Sequence, residues 1–349
     1  MLPTPTVRSA PSTGAGRGAL TDRYGRTATD LRVSLTDRCN LRCTYCMPAE
    51  GLEWMPHAEV LSDDEVLRLV RVAVERLGVT TVRLTGGEPL LRRGLEELIA
   101  GLAALRPRPV IALTTNGIGL AARASGLAAA GLDRVNISLD TLEPDTFAKL
   151  TRRRRLPDVL AGVRAATAAG LTPVKINSVL LRGVNDHEAV PLLRWAMSEG
   201  VQLRFIEQMP LDAQHAWQRQ TMVTAAEISA RLNEQIELVE DPADALVRGS
   251  APAELFRVAG TSHTVGVIAA VSKPFCGACD RVRLTADGQV RTCLFSRTES
   301  DLRAPMREGA SDAELADRWI IAAGGKQAGH GIDDPSFLQP DRPMSAIGG

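Results

Sequence analysis

The chain has 349 residues, 44% of them hydrophobic, and its 41 basic residues balance 41 acidic ones. This length allows one large domain with a sizeable core, or such a domain with an appendage. Balanced charge gives no overall attraction to nucleic acid or to an anionic membrane, and only 3% aromatic residues argue against a surface that stacks bases. No apolar run approaches the ~20 residues of a membrane helix, and no secretory signal is recognisable. We therefore predict a cytoplasmic protein without a nucleic-acid or membrane partner.

The first 240 residues divide into two regions of different composition. Residues 1–29 are rich in Gly, Pro, Ser and Thr and are predicted to form a disordered leader. In residues 30–240, short β-branched runs alternate with helical patterns, which predicts a parallel sheet with helices outside it. The predicted strands are 31–36, 80–85, 110–115, 134–139, 173–179 and 202–206, and the helical patterns lie near 62–77, 91–104, 117–130, 156–169 and 186–199. Because a closed barrel needs eight units and six are visible here, we predict an α/β fold with a partial (βα)6 barrel of the TIM type.

Residues 241–349 have a different pattern. Short alternating segments precede one final helical stretch near 311–323, which predicts a small C-terminal α+β region. The chain then ends in a tail rich in Gly and Pro, whose last two residues are Gly348 and Gly349.

Three cysteines follow the first predicted strand with the spacing CxxxCxxC, as Cys39, Cys43 and Cys46. Three thiolates can hold three irons of a 4Fe–4S cluster and leave the fourth iron open, whereas a cluster used only for electron transfer is normally held by four cysteines. Structural zinc needs four ligands, and no histidine precedes His57. Polar neighbours and the missing secretory signal also disfavour inert buried thiols and a disulfide framework. The spacing therefore favours an open iron that binds a substrate.

The remaining cysteines, Cys276, Cys279 and Cys293, form a CxxC pair followed by a third thiol. On spacing alone, a second cluster with an open iron and a zinc site are equally compatible, since zinc ribbons also begin with CxxC and His263 lies nearby. The division of all six cysteines into two matched sets favours a second cluster in the C-terminal region.

A glycine run follows the second predicted strand, in the segment Gly86-Gly87-Glu88-Pro89. Glycines in such a turn let the backbone approach a bound molecule closely and expose amides to a polar group. Beside the cysteine loop, this run is predicted to receive the amino-acid end of a molecule that chelates the open iron.

Several basic residues occupy strand positions in the presumed barrel interior. They are Arg32, Arg83 and Lys175 on barrel strands, and Arg281 and Arg283 directly after the CxxC pair. Residues two apart on a strand share a face, and Arg is suited to bidentate phosphate binding. A phosphate-bearing substrate is therefore predicted, whereas the consecutive charges of 152–155 are predicted to be a solvated linker without a role.

These motifs together resemble a known family. CxxxCxxC with Tyr45 before its last cysteine, joined to Gly86-Gly87-Glu88-Pro89, resembles the radical S-adenosylmethionine (SAM) enzymes. The string Arg32-Val33-Ser34-Leu35-Thr36-Asp37-Arg38-Cys39-Asn40, the second cysteine set with Arg281-Val282-Arg283, and the Gly-Gly end are similar to the GTP 3',8-cyclases of molybdenum cofactor biosynthesis. The likeness runs from about Asp30 to the last residue.

The resemblance implies a reaction that uses two 4Fe–4S clusters and SAM. One electron would cleave SAM, and the resulting 5'-deoxyadenosyl radical would remove the 3' hydrogen of GTP. Attack of the ribose radical on C8 of guanine, followed by reduction, would give (8S)-3',8-cyclo-7,8-dihydroguanosine 5'-triphosphate. The resemblance also implies a homodimer, an electron donor, and transfer of the product to the cyclic pyranopterin monophosphate synthase.

The resemblance further assigns roles to residues. The first cluster would be held by Cys39, Cys43 and Cys46, and the second by Cys276, Cys279 and Cys293. SAM would contact Tyr45, Gly87, Ser138 and Met209. GTP would contact Arg32, Arg83, Thr114, Lys175, Arg281, Val282 and Arg283. Catalysis would also need Arg281, Arg283 and the tail residues Gly348 and Gly349.

Two other interpretations stay open at this stage. A radical SAM enzyme that modifies a peptide also adds clusters to a partial barrel, although that class usually carries more cysteines after the barrel than the three found here. A non-catalytic protein with two zinc sites would use the same cysteines.

Overall fold

Twelve strands form a single sheet in the computed structural model, which describes residues 18–241 and 248–348. The strands are β1 (Asp30–Ser34), β2 (Thr81–Thr85), β3 (Val110–Thr115), β4 (Arg134–Ser138), β5 (Lys175–Val179), β6 (Gln202–Ile206), β7 (Leu238–Glu240), β8 (Glu254–Val258), β9 (Thr264–Ile268), β10 (Arg281–Leu284), β11 (Gln289–Arg291) and β12 (Ser300–Asp301). The helices described are α1 (Asp63–Leu77), α2 (Leu95–Ala103), α3 (Leu120–Ala130), α4 (Pro144–Thr151), α5 (Leu156–Ala168), α6 (Ala189–Ser198), α7 (Ala225–Asn233), α8 (Arg303–Arg307), α9 (Asp312–Gly324) and α10 (Met344–Ile347).

The first six strands lie side by side in chain order, and each neighbouring pair is parallel. Helices α1 to α6 occupy the connections between these strands. This arrangement confirms the predicted partial (βα)6 barrel. Within the described residues no pairing joins β7 to β12, so the sheet stays open.

The C-terminal region adds strands to both edges of the barrel sheet. Strand β9 pairs in parallel with β6, and β10 pairs in parallel with β1. Antiparallel neighbours then cover these added strands, β8 and β7 on one side and β11 and β12 on the other. The second cysteine set is thereby brought next to the first, since β10 lies beside the strand that precedes Cys39.

Side-chain alternation separates a dry core from a polar interior. On β1, Leu31 and Val33 are fully buried in the hydrophobic cluster, while Arg32 between them lines the cavity described below. Strand period two produces this division, because successive side chains point to opposite faces. The same sheet therefore packs its apolar face against the helices and presents its charged face to the site. None of the helices in the described ranges combines the length and apolarity needed to cross a membrane.

The end of the predicted leader belongs to the folded body. Residues 18–29 are described, with a bridge between Thr21 and Thr27, and both Leu20 and Ala28 are buried. Arg26 donates hydrogen bonds to backbone carbonyls around the second cysteine pair. This differs from the predicted disorder, because Leu20 and Ala28 supply apolar contacts that the composition of the whole segment conceals. Residues 1–17 lie outside the described residues.

Candidate active site

All six cysteines line one cavity of about 640 Å³ at the carboxyl ends of the barrel strands. Each is a free thiol and each is half-buried. Sites in barrels of parallel strands lie at this end, because the loops that follow the strands converge there. The cavity therefore collects the two sets that the sequence separates by 230 residues, from Cys46 to Cys276.

The first cysteine loop is held from outside by the end of α4. The backbone amides of Arg42 and Thr44 donate to the carbonyls of Thr151 and Leu150, at 3.0 and 2.9 Å. Arg152, in a left-handed conformation with φ of 56°, donates from Nη1 to the Arg42 carbonyl at 2.9 Å. Arg152 thus anchors the loop and is not the solvated linker residue that its charged neighbours suggested.

The glycine run packs against the backbone of the same loop. Gly87 donates to the Thr36 carbonyl at 2.7 Å, and a Cβ added at Gly87 would lie 2.2 Å from the Arg38 carbonyl oxygen. Gly86 has a φ of 135°, and a Cβ there would lie 2.4 Å from the Thr36 carbonyl oxygen. Both glycines also line the cavity. The cysteine loop itself therefore requires glycine at both positions, because its backbone lies too close for a side chain.

Glu88 ties the glycine run to the end of β3. Its buried carboxyl accepts hydrogen bonds from Thr115 Oγ1 and the Asn116 amide, both at 2.7 Å, and burial raises its pKa to about 7. Asn116 Nδ2 in turn donates to Asn40 Oδ1 at 2.7 Å, inside the cysteine loop. The loops after β1, β2 and β3 therefore form one hydrogen-bonded unit. In the sequence Glu88 is only one residue of the glycine motif, and no pattern indicated that its carboxyl would be buried.

The residues predicted to bind SAM all line the cavity. Tyr45, Gly87, Ser138 and Met209 meet there from four different loops and strand ends. The Tyr45 hydroxyl donates to Asp140 Oδ2 at 2.6 Å, and the other Asp140 oxygen accepts from the Val179 amide at 2.9 Å. Burial raises the pKa of Asp140 to about 6. Asp140 thereby fixes the ring of Tyr45, a partnership without a sequence signal.

Basic side chains outnumber acidic ones in the lining of the cavity. Among the residues that the structure describes, eight Arg and Lys side chains line it, against three carboxylates. The basic residues are Arg32, Arg83, Arg134, Lys175, Arg204, Arg248, Arg281 and Arg283. The carboxylates are Asp30, Asp140 and Asp280. Such an excess of positive charge with little solvent selects an anionic ligand.

Strand register gathers several of these cations on one interior face. Arg32 is paired with Arg83 on one side and Arg283 on the other, and Arg83 Nη2 lies 3.6 Å from Asp30 Oδ2. Burial and mutual repulsion lower the pKa of Lys175 to about 8. A bound phosphate would relieve this repulsion, since an opposite charge favours the charged form of each group.

Arg204 belongs to this basic face although the sequence analysis did not single it out. It lies on β6, and its guanidinium donates to Asn177 Oδ1 at 2.7 Å on the neighbouring strand. Its neighbours Leu203 and Phe205 are fully buried in the core. Strand alternation was the available signal, because a charged residue between two core residues must face the barrel interior.

Val282 does not face the cavity with its side chain. It is 1% exposed and belongs to the hydrophobic core, whereas Arg281 and Arg283 on either side line the cavity. Strand period two turns the Val282 side chain to the opposite face, so the predicted contact of Val282 with GTP would have to come from its backbone. Thr114, the other uncharged residue predicted to touch GTP, lines the cavity.

The second cysteine pair has cationic neighbours. Lys326 Nζ donates to Cys279 Sγ at 3.3 Å, and Arg281 Nη1 lies 4.0 Å from the same sulfur. Burial raises the pKa of the Cys279 thiol, but these two cations outweigh it and the net pKa is lowered. Arg26 Nη1 donates to the Cys276 carbonyl at 2.7 Å. Neither Lys326 nor Arg26 was identified from the sequence, since their partners are distant in the chain.

The C-terminal tail lies against the ends of β1 and β2. Ser34 Oγ donates to the Ile347 carbonyl at 2.7 Å, and Arg283 Nη1 donates to the Gly348 carbonyl. Gly348 has a φ of 81°, and a Cβ there would lie 2.3 Å from Ser34 Oγ, so no larger residue fits. Gly349, the other predicted tail residue, lies outside the described residues.

The donor chemistry of both cysteine sets fits iron–sulfur clusters. Each set presents three thiols to the cavity, and thiolates are the usual ligands of such clusters. Within the described ranges, no three His, Cys, Asp or Glu side chains close on one mononuclear ion. Burial raises the pKa of Cys46 to about 12, so iron must displace the thiol proton when it binds.

Comparison with known proteins identifies the family. Residues 33–196 match the model of the radical SAM superfamily, and residues 201–332 match the Molybdenum Cofactor Synthesis C model. The GTP 3',8-cyclase of Streptomyces coelicolor is 62% identical over 342 residues, which cover 98% of this chain and 99% of that protein. The GTP 3',8-cyclase of Mycolicibacterium smegmatis is 60% identical over 360 residues, covering 99% and 98%.

A solved structure gives the same fold at much lower identity. Streptococcus suis SuiB bound to S-adenosylmethionine has a TM-score of 0.59 and 14% identity, covering 92% of this chain and 78% of that one. A second SuiB structure contains a precursor peptide, with a TM-score of 0.59 and 15% identity, over 85% and 66%. These likenesses show the fold alone and do not favour the peptide-modifying alternative. The chain belongs to the GTP 3',8-cyclase family of the radical SAM superfamily.

Proposed function

We propose that the chain converts GTP to (8S)-3',8-cyclo-7,8-dihydroguanosine 5'-triphosphate, the first step of molybdenum cofactor biosynthesis. Full-length relatives named GTP 3',8-cyclase at about 60% identity support this activity. The observation that carries the proposal is that both cysteine sets and eight basic side chains line one cavity. Such a cavity can hold a radical source and a triphosphate together.

The first cysteine set forms the SAM side of the proposed site. Cys39, Cys43 and Cys46 would hold a 4Fe–4S cluster, which would supply the electron for reductive cleavage of SAM. Tyr45, Gly87, Ser138 and Met209, which line the cavity, would contact the SAM molecule. Asp140 keeps the Tyr45 ring in place through its 2.6 Å hydrogen bond. The hydrogen-bonded loops after β1 to β3 hold this arrangement rigid, which preorganises the reacting groups.

The basic interior face binds the triphosphate of GTP. Arg32, Arg83, Lys175 and Arg204 offer charge from strands β1, β2, β5 and β6. Planar guanidinium groups can bind phosphate oxygens bidentately, while the lysine acts as a point charge. Thr114 adds a hydroxyl, and the backbone of Val282 lies between two arginines of β10. With its triphosphate on this face, the nucleotide would place its purine toward the second cysteine set.

The second set and the tail complete the site. Cys276, Cys279 and Cys293 would hold a second 4Fe–4S cluster, which would supply an iron that binds the guanine. Arg281 and Arg283 line the same cavity, Arg281 Nη1 lies 4.0 Å from Cys279 Sγ, and Arg283 donates to the Gly348 carbonyl. Met344 and Ser345 of the same tail line the cavity and would help to exclude water from the reacting ribose.

The proposed activity also requires partners. An electron donor must supply the reductant, and the product passes to the cyclic pyranopterin monophosphate synthase. The family resemblance further suggests a homodimer in the cytoplasm. Neither nucleic acid nor a membrane is expected among the partners, in keeping with the balanced charge of 41 basic and 41 acidic residues.

Anaerobic reconstitution with iron and sulfide, followed by incubation with GTP, SAM and a chemical reductant, tests the proposal. We expect 5'-deoxyadenosine and the cyclised nucleotide in the same reaction. Cleavage of SAM without any cyclised nucleotide would reject the proposed substrate. Zinc in place of iron and sulfide in an anaerobic preparation would reject the whole class of function.

The tight contact at Gly87 gives a separate prediction. In Gly87→Ala the new methyl group would overlap the Arg38 and Asp37 carbonyl oxygens, at 2.2 and 2.5 Å, so the cysteine loop must shift. We expect loss of about half of the bound iron, since one of two clusters depends on this loop. Iron and sulfide analysis after reconstitution measures the change.

Gly126→Ala is the matched control for this substitution. Gly126 lies in α3, and a Cβ there would be 3.8 Å from Glu96 Cγ, an ordinary contact. Alanine in a helix interior is favoured over glycine by about 0.5–1 kcal/mol. We expect full iron content in this variant. Equal iron content in both variants would show that the Gly87 contact does not position the loop.

A further inference from the structure

Lys326 is a buried lysine that the proposed mechanism does not use. It follows α9 and is only 6% exposed, in a chain that has four lysines altogether. All three of its ammonium hydrogens have acceptors near the second cysteine pair: Cys279 Sγ at 3.3 Å, the Cys279 carbonyl at 3.0 Å and the Arg281 carbonyl at 2.7 Å. A buried cation with this arrangement is directed at one ligand sulfur.

The Cys279 thiolate is the anionic partner available to the charge of Lys326. Among the residues that the structure describes, no carboxylate lies within 4.0 Å of its Nζ. Burying a charge is costly unless it is paired and hydrogen-bonded. Its two carbonyl acceptors are neutral, so the sulfur of Cys279 as thiolate is the partner that compensates the charge.

Two further contacts connect the segment around Lys326 to the cysteine pair. Arg26 Nη1 donates both to the Cys276 carbonyl at 2.7 Å and to the Ala328 carbonyl at 2.9 Å. Asp22 fixes that guanidinium through an ion pair of 2.6 Å in which both side chains are buried. The segment that carries Lys326 is therefore attached to the segment that carries the CxxC pair.

We propose that Lys326 is a positioning residue for the second cluster: it holds the Cys279 thiolate through a charge-assisted hydrogen bond and raises the reduction potential of the cluster. This inference rests on the proposed second cluster. A positive charge beside a cluster sulfur stabilises the more negative, reduced form, and hydrogen bonds to the sulfurs are an established means of setting cluster potentials. Arg281 is the weaker neighbour, because its guanidinium also lies 4.9 Å from the Phe275 ring centroid and donates to the Ser250 carbonyl.

The test uses the full chain in which Cys39, Cys43 and Cys46 are all changed to Ala, so that only the second cluster can bind. Lys326→Met removes the charge, and Lys326→Gln removes it while keeping hydrogen bonds to the two carbonyls. After anaerobic reconstitution, iron content and a spectroscopic redox titration are measured. We expect both variants to lower the equilibrium constant for cluster reduction by about tenfold, which is 59 mV for a one-electron couple.

Two comparisons make the outcome specific. Lys149→Met removes an exposed lysine on α4, outside the second cysteine set, and is expected to leave the potential unchanged. Lys326→Arg keeps the charge, and its reduction potential is expected to be closer to that of the parent than the potential of either neutral variant. Loss of iron from Lys326→Gln at an unchanged melting temperature also supports the inference, since the thiolate would have lost its partner.

The two possible failures are distinguishable. If Lys326→Gln binds its cluster with the parent potential, the inference is overturned and the proposed function is untouched. If the parent chain, with Lys326 intact, binds no iron and sulfide at the second set, the proposed second cluster is itself wrong, and the inference falls with it.

Discussion

Cys43→Ala is expected to abolish SAM cleavage and to retain about half of the iron. One cluster of the two would be lost, because three thiolates are the minimum set of the first site. The radical chemistry belongs to the bound group and not to the side chains around it, so no residual activity from positioning alone is expected. Detection of 5'-deoxyadenosine by chromatography, with and without GTP, measures the loss.

Cys293→Ala is the matched comparison for the other set. It removes one thiol of the second site, also half-buried and on the same cavity. We expect this variant to cleave SAM while failing to form the cyclised nucleotide, because the guanine would lose its iron. Opposite defects in the two variants would assign the radical to the first set. If Cys43→Ala turned over fully, the open-iron assignment of the first set would be wrong.

The barrel could be predicted from the sequence because its strands are short, apolar and regularly spaced. Each of the six predicted strands corresponds to an observed one, with differences of at most two residues at either end. Helix α4 was missed, since it is eight residues long and begins directly at a proline. Its end nonetheless anchors the first cysteine loop, so a short element with a weak pattern carries part of the site.

The closure of the site depended on pairings that no local pattern contains. Strands β9 and β10 join opposite edges of the barrel sheet, which places the second cysteine set beside the first. The sequence predicted only a small region with its own cysteines, since short alternating segments do not specify their neighbours. The same limit explains why Lys326 and Arg26 were missed: their partners lie 47 and 250 residues away in the chain.

Side-chain direction on strands was predictable in part. The period of two placed Arg281 and Arg283 together and also required Val282 to face the core. The family resemblance grouped all three as contacts of GTP, and strand geometry separates the valine side chain from the two arginines. Arg204 shows the reverse case, because its position between Leu203 and Phe205 already indicated the interior face.

Lys175→Ala is expected to weaken GTP binding by about 10- to 150-fold. A hydrogen bond to a charged group contributes ~1.5–3 kcal/mol, which corresponds to this range of affinity. Lys175 lines the cavity, and in the described part of the chain no carboxylate lies within 4.0 Å of its ammonium group, so its charge is available to the phosphates. Equilibrium titration of GTP measures the change. Lys149→Ala, an exposed lysine outside the cavity, is expected to bind GTP as the parent does.

The pH dependence of GTP affinity provides an independent test of the same lysine. Burial, followed by repulsion from Arg204, Arg134 and Arg83, lowers the pKa of Lys175 to about 8 in the protein without nucleotide. Phosphate binding favours the ammonium form, so affinity should be greatest below pH 8 and should fall as the pH rises from 7 to 9. The triphosphate keeps its charge over this interval, because phosphate groups titrate near pH 6. Lys175→Ala should lose this dependence, and an equally steep fall in the variant would assign the titration to another group.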